Sequence, residues 1–411
     1  MSYEFSRRRF LQYVGAGAGA AVLPGWIGLD AANAAPLLPG QTILVSLFLG
    51  GGLDGAHMLV PTGASLHADY AARRGPLAVD PATTLPLGGE NSLHGALPNL
   101  HARYQAGDVA FVRGVDLIGS TGFDPLSHFD KVDHVMMGRN APAGPPSGVW
   151  ARWADGEPDN GLLLSTVGFG LPILFGGGAK RQATSLPATM ENALGVAGAP
   201  FESLLVAALD DVTASFPASD TTLEALAART GSAAMQLARD LAPVYPPPGV
   251  AETELTRNLK VIAALIEANL TGTRVYGTLH GSYDTHENQR ADLDQRLFPD
   301  LDASLEVFFQ SLTNPQDVIV MIWTEFGRRP EANASGTDHG TAGNVALVGP
   351  RVKGGLYGTQ PSFALPDLDA NGNLASHVAF QQVYAELIDR FLGGDSTAVL
   401  GSAYSQLGVV S

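Results

Sequence analysis

"FLGGGLDGAHMLVP", residues 48–61, decides how the chain folds. An apolar run from Ile43 to Leu49 feeds into Gly50-Gly51-Gly52-Leu53-Asp54-Gly55, and the spacing admits two readings. One is a dinucleotide-binding turn; the other is the carboxyl end of a buried strand that presents an acid. A dinucleotide turn opens a helix at its last glycines and is followed, about 20 residues on, by an acidic residue closing the next strand. Here Pro61 and Gly63 stop any helix after about one turn. No strand with an acid follows at that distance, so the second reading stands: Asp54 is a strand-end carboxylate, uncovered by the glycines around it or capping its own turn.

Outward from this stretch, apolar, β-branched runs at 42–49, 109–115, 171–175, 274–279, 318–323 and 345–348 predict short buried strands. Helical patterns fall between them at 201–216, 221–240, 254–270, 290–312 and 378–392. Alternation of this kind predicts an α/β fold, a central mostly parallel sheet covered by helices on both faces. The Pro- and Gly-rich segment 61–107 reads as an excursion over the surface, and "PVYPPPGV", 243–250, as a stiff loop or hinge.

Composition narrows the function. The chain has 411 residues, 45% of them hydrophobic, enough for a large core. A formal net charge of −16 opposes a phosphate backbone, so nucleic acid is not an expected partner. The absence of cysteine excludes disulfides, thiolate ligands and cysteine nucleophiles.

Ser6-Arg7-Arg8-Arg9-Phe10-Leu11, an apolar Gly/Ala-rich segment and Ala32-Asn33-Ala34 have the order of a twin-arginine export leader with its cleavage site. Residues 1–34 are therefore read as a signal peptide handled by the Tat translocase, and 35–411 as a single domain delivered to the periplasm or secreted. No later stretch carries the roughly 20 apolar residues of a membrane span, so no integral membrane segment is expected in the mature chain.

Strand-end acids recur. The run 274–279 leads to Asp284 and His286, which period-2 geometry would put on one face. The run 318–323 leads to Glu325, and Asp338-His339 precede the run 345–348. Asp54, Asp284, His286, Glu325, Asp338 and His339 form an oxygen-rich set with two imidazoles, suited to one or two divalent ions such as Zn, Mn, Mg or Ca. Arg328 is placed to bind a substrate anion or to pair with Glu325. Ser127, three residues before Asp130, has the signature of a helix N-cap, where a hydroxyl is also placed as a nucleophile. Ser120 and Thr121 are the alternatives, with His128 and Lys131 near the same mouth. Trp150 and Trp153 read as helix packing.

"LFLGGGLDGAHMLVP", "SHFDKVDHVMMG", "YDTHENQ", "WTEFGRRPEANASGTDHG" and "ALVGPRVKGGLYG", in this order behind a twin-arginine leader, resemble the domain of unknown function 1501 family. That family is counted with the alkaline phosphatase and sulfatase-like superfamily. The resemblance implies an alkaline phosphatase-like fold, two metals held by Asp54, Asp284, His286, Asp338 and His339, and hydrolysis of phosphate or sulfate esters of small molecules or glycans.

The sequence also departs from the superfamily. The middle pair is spaced Asp284-Thr285-His286 instead of Asp-x-x-x-His, and the final histidine has only His377 as a loose counterpart. With no cysteine and no Ser-x-Pro-x-Arg, a formylglycine sulfatase is disfavoured. These departures leave a second reading open, a non-catalytic exported binding protein with a degraded metal site. An oxidoreductase is disfavoured, because the haem and iron–sulfur cysteines are absent and the dinucleotide turn fails.

Overall fold

The computed structural model describes residues 36–411 except 140–145, 159–162, 171, 182, 190–206, 208, 209, 218 and 221. The expected leader, 1–34, and half of the expected helix 201–216 lie outside the described residues. A sheet of nine strands runs through the middle. Its order is Gly355–Tyr357, Val109–Asp116, Gly343–Val348, Val318–Trp323, Ile43–Leu49, Val275–His280, Leu164–Val167, Thr184–Leu186, and Val378–Ala379 pairs with Val109–Asp116 as well. Ile43–Leu49 lies parallel between Val275–His280 and Val318–Trp323, and Gly343–Val348 runs against both of its neighbours.

Alternation along Ile43–Leu49 divides the core in two. Leu44 and Phe48 face a layer that holds Trp150, Trp153 and Tyr384, while Val45, Leu47 and Leu49 face one that holds Leu259, Leu301 and Phe308. Helices therefore cover both faces: Val149–Gly156 and Phe380–Glu386 on one, Glu254–Ala268 and Phe298–Gln310 on the other. A strand apolar on both sides is stable only in the middle of such a sandwich. Trp150 and Trp153 are buried in it, as helix-packing residues.

Two expectations are corrected. The apolar run 171–175 is a single 3-10 turn, Ile173–Phe175, and the neighbouring strands are Leu164–Val167 and Thr184–Leu186. Pro172 donates no hydrogen bond to a ladder, which favours the turn. The excursion 61–107 is more ordered than its composition suggests: it carries the helix Ala64–Arg74 and the strands Leu85–Pro86 and Asn91–Leu93, the latter pairing with both Leu59–Pro61 and Leu85–Pro86 in a small antiparallel sheet. Among the described residues no helix is long and apolar enough to cross a membrane.

Candidate metal centre

Loops leaving three adjacent strands meet beyond their carboxyl ends, where open α/β sheets place their ligand sites. Glycine permits the approach. A Cβ on Gly51, whose φ is +121°, would stand 2.4 Å from the backbone nitrogen of Asp284. A Cβ on Gly336 would stand 2.2 Å from the carbonyl carbon of His286. The glycines of the opening stretch thus serve packing of the Asp284 loop against the first strand's end.

Arg328 knots the same loops together. Buried to 1% exposure, it donates to the carbonyls of Gly51, Gly52, Tyr283 and Thr337 and to Asp284 Oδ1 at 2.7 Å. Its expected role in binding a substrate anion is corrected: the guanidinium is spent on backbone oxygens, and it pairs with Asp284, not Glu325. Burial alone would raise the Asp284 carboxyl, but the hydrogen bond and charge of Arg328 outweigh it and hold the group at about 2.

Three imidazoles converge on Asp284. His286 Nε2 lies 3.0 Å and His339 Nε2 3.2 Å from Oδ1, and His128 Nε2 lies 3.3 Å from Oδ2. His286 Nε2 and His339 Nε2 are 2.9 Å apart. Each ring is fixed from behind through Nδ1: His128 by Glu325 Oε1 at 2.7 Å, His286 by Asp338 Oδ1 at 3.1 Å, His339 by the Leu126 carbonyl at 2.8 Å. An acceptor behind each Nδ1 favours a proton there; in that neutral tautomer Nε2 carries the lone pair, while in the imidazolium Nε2 is a donor to Asp284. Four potential ligand atoms thus stand close together, and His128 Nε2 is buried without a hydrogen-bond partner.

His128, Asp284 and His339 bring their ligand atoms within 4.8 Å of one another and could hold a cation, with His286 beside Asp284 and His339. Ligands held at about 2.0–2.1 Å by a tetrahedral ion stand about 3.3 Å apart, and the three imidazole–Asp284 separations and that between His286 and His339 lie at 2.9–3.3 Å. Burial would lower the His128 pKa, but the hydrogen bond and charge of Glu325 and the charge of Asp284 outweigh it and raise the group, while burial and the charges of His128 and Arg328 lower that of His339. Phe326 supports the rings, its centroid 4.8 Å from His128 and 4.7 Å from His339.

The expected set is regrouped. Asp284, His286 and His339 come together, though residues 281–286 form a loop and not the strand that would put Asp284 and His286 on one face. Glu325 and Asp338, expected as ligands, instead orient histidines, and Glu325 is further occupied by the Gly51 N–H and the Thr324 hydroxyl. Asp54 stands apart. It caps the short helix Gly55–Met58 and its two oxygens are taken by Arg74 and Gln289.

Ser127 caps His128–Met137 through Asp130 N, as its spacing predicts, and lies between Leu126 and His128, which both touch the centre. His128 is the residue that sequence reasoning left unassigned. Its signal is its position directly after the cap, which fixes the ring at the start of a helix. Lys131, buried, pairs with Asp116, away from the mouth. His377 N bonds the Gly114 carbonyl, and His377 belongs to neither group of His and acidic side chains found.

A second group, His57, His94 and Asp294, also brings its ligand atoms within 4.8 Å of one another, as His128, Asp284 and His339 do. There His57 Nε2 and His94 Nε2 both reach Asp294 Oδ1, at 2.7 and 3.2 Å.

A family model described as "Protein of unknown function (DUF1501)" matches residues 255–398, the stretch that carries Asp284, His286, Glu325, Arg328, Asp338 and His339. The family read from the motifs is the family whose model fits this part of the chain. No curated protein matches. Among solved structures, a protein of the alkaline phosphatase superfamily from Vibrio parahaemolyticus is 11% identical with a TM-score of 0.39, over 98% of this chain and 80% of that one. The phosphonate monoester hydrolase of Silicibacter pomeroyi is 10% identical at 0.34, over 88% and 78%. A sulfatase from Pseudoalteromonas sp. is 10% identical at 0.33, over 90% and 72%. Likeness this loose leaves the site to be argued from its own residues.

Proposed function

We propose that the chain is an exported, metal-dependent hydrolase of phosphate or sulfate esters. One observation carries the reading: three Nε2 atoms, each on a ring with an acceptor behind Nδ1, stand around one carboxylate. A divalent ion bound there supplies Lewis acidity, polarising the ester oxygens and acidifying water. The chain's own residues hold the geometry. Glu325, Asp338 and the Leu126 carbonyl orient the rings, and Arg328 fixes Asp284 and keeps it ionised.

Ser127 is the nucleophile this reading assigns. Its hydroxyl opens the ten-residue helix His128–Met137, whose N-terminal dipole favours a developing alkoxide. The family resemblance supports a phosphate or sulfate ester of a small molecule or glycan, and the leader supports Tat export to the periplasm or beyond. The test is hydrolysis of aryl phosphate and aryl sulfate by metal-stripped and metal-reloaded protein. Activity that returns with Zn or Mn and is absent in His339→Ala supports the reading. Equal activity in stripped and reloaded protein contradicts it.

A further inference from the structure

We infer that the centre takes one divalent ion and not the two its superfamily likeness implies, because a buried guanidinium stands at Asp54 in the place of the second. The inference rests on the metal-dependent reading above and concerns the part of it that does not fit. Asp54 is 2% exposed and Arg74 1%. Arg74 Nη2 donates to Oδ1 at 2.9 Å, Nη1 lies 2.8 Å from Oδ2, Gln289 Nε2 donates to Oδ2 at 2.7 Å, and Ala56 N donates to Oδ1 at 3.2 Å.

An ionised carboxylate has about four lone-pair sites; three hydrogen bonds and the close approach of Nη1, which itself makes no hydrogen bond, cover both oxygens of Asp54. An ion at Asp54 would have to displace Arg74 and leave its charge buried without a counter-ion, which is strongly unfavourable. The guanidinium also does an ion's structural work. Asp54, neutralised, holds Gln289, whose Oε1 accepts from Thr337 Oγ1 at 2.7 Å, one residue from Asp338-His339. Thr285, between Asp284 and His286, donates to the same Oε1 at 3.4 Å. Both ligand-bearing loops are thus moored to a fixed positive charge.

His57, His94 and Asp294 do not supply the second ion's site. Ala96 N donates to His94 Nδ1 at 3.2 Å, so the proton of the neutral ring is on Nε2 and points at Asp294. A protonated nitrogen is a donor already used, not a ligand.

The experiment counts ions. Full-length mature protein is stripped with chelator, titrated with Co²⁺, freed of excess and analysed for metal per chain, alongside Asp54→Asn and the doubly neutral Asp54→Asn/Arg74→Gln in case the single change does not fold. The expected result is one ion per chain, visible absorption saturating at one equivalent, and the same count in whichever variant folds. Two ions in the wild type, falling to one on loss of Asp54, overturns the single-ion inference and leaves the metal-dependent reading intact. No ion in the wild type overturns both.

Discussion

His128, His286 and His339 around Asp284, and His57 and His94 around Asp294, are similar in composition and opposite in chemistry. The difference lies in what stands behind the rings. At the first group each Nδ1 faces an acceptor, so in the neutral ring Nε2 is left open to an ion. At the second a backbone N–H faces His94 Nδ1, so Nε2 carries the proton and the shared carboxylate receives it.

Access differs as well. The Asp284 side chain is 44% exposed, whereas His57 and His94 are buried and stack 5.1 Å apart against Phe298. Burial lowers the His57 pKa, and hydrogen bonds from both imidazoles, outweighing burial, hold Asp294 well below the usual carboxylate range. The lesson is that a histidine's partner on the far nitrogen decides between ligand and brace.

The comparison breaks most visibly through substitution of one histidine in each group. His339→Ala is expected to weaken divalent-ion affinity by more than the ~10–100-fold that loss of a hydrogen-bond partner behind a ligand costs. His94→Ala is expected to leave affinity unchanged while lowering Tm. Competition with a chromophoric chelator measures the first and thermal unfolding the second. Equal losses of affinity in the two variants would erase the distinction.

A finer version uses the acceptors. Glu325→Gln keeps the shape but removes the charge behind His128, and a ~10–100-fold loss of affinity is expected, with a shifted Co²⁺ absorption spectrum. Affinity unchanged in Glu325→Gln would mean that the tautomer of His128 is fixed in another way.

Much of this was legible in the sequence. Strand-end acids after apolar runs gave Asp284, His286 and His339, because a buried strand in an open sheet places its following loop at the ligand edge. What the sequence concealed is pairing across distance. Nothing near Asp54 foretells Arg74, whose partner is 20 residues away on another helix. Glu325 and Asp338 read as ligands because a carboxylate that orients a histidine and one that binds an ion look alike until the partner is known. Arg328 read as an anion binder or a partner of Glu325 because its four backbone acceptors come from three separate segments of the chain. Pro172 and Gly176 around 171–175 were the local warning against a strand there.

Two smaller effects test how the loops are held. Gly51→Ala forces a Cβ against the Asp284 backbone at a positive φ, and a loss on the order of 1–3 kcal/mol is expected, read from chemical denaturation. Ser127→Ala is expected to cost about 0.5–2 kcal/mol through the helix cap, with Ser127→Asp recovering most of it. Ester hydrolysis should be lost in both Ser127 variants. Activity retained by Ser127→Ala would remove the serine from the reaction and leave water as the attacking group.

The most direct measurement of the central claim is diffraction from crystals of the Zn-loaded protein at the zinc absorption edge. The account predicts a single anomalous peak about 2.0–2.1 Å from Nε2 of His128, His286 and His339 and bound to Asp284. A peak between His57, His94 and Asp294, or none at either group, would contradict it.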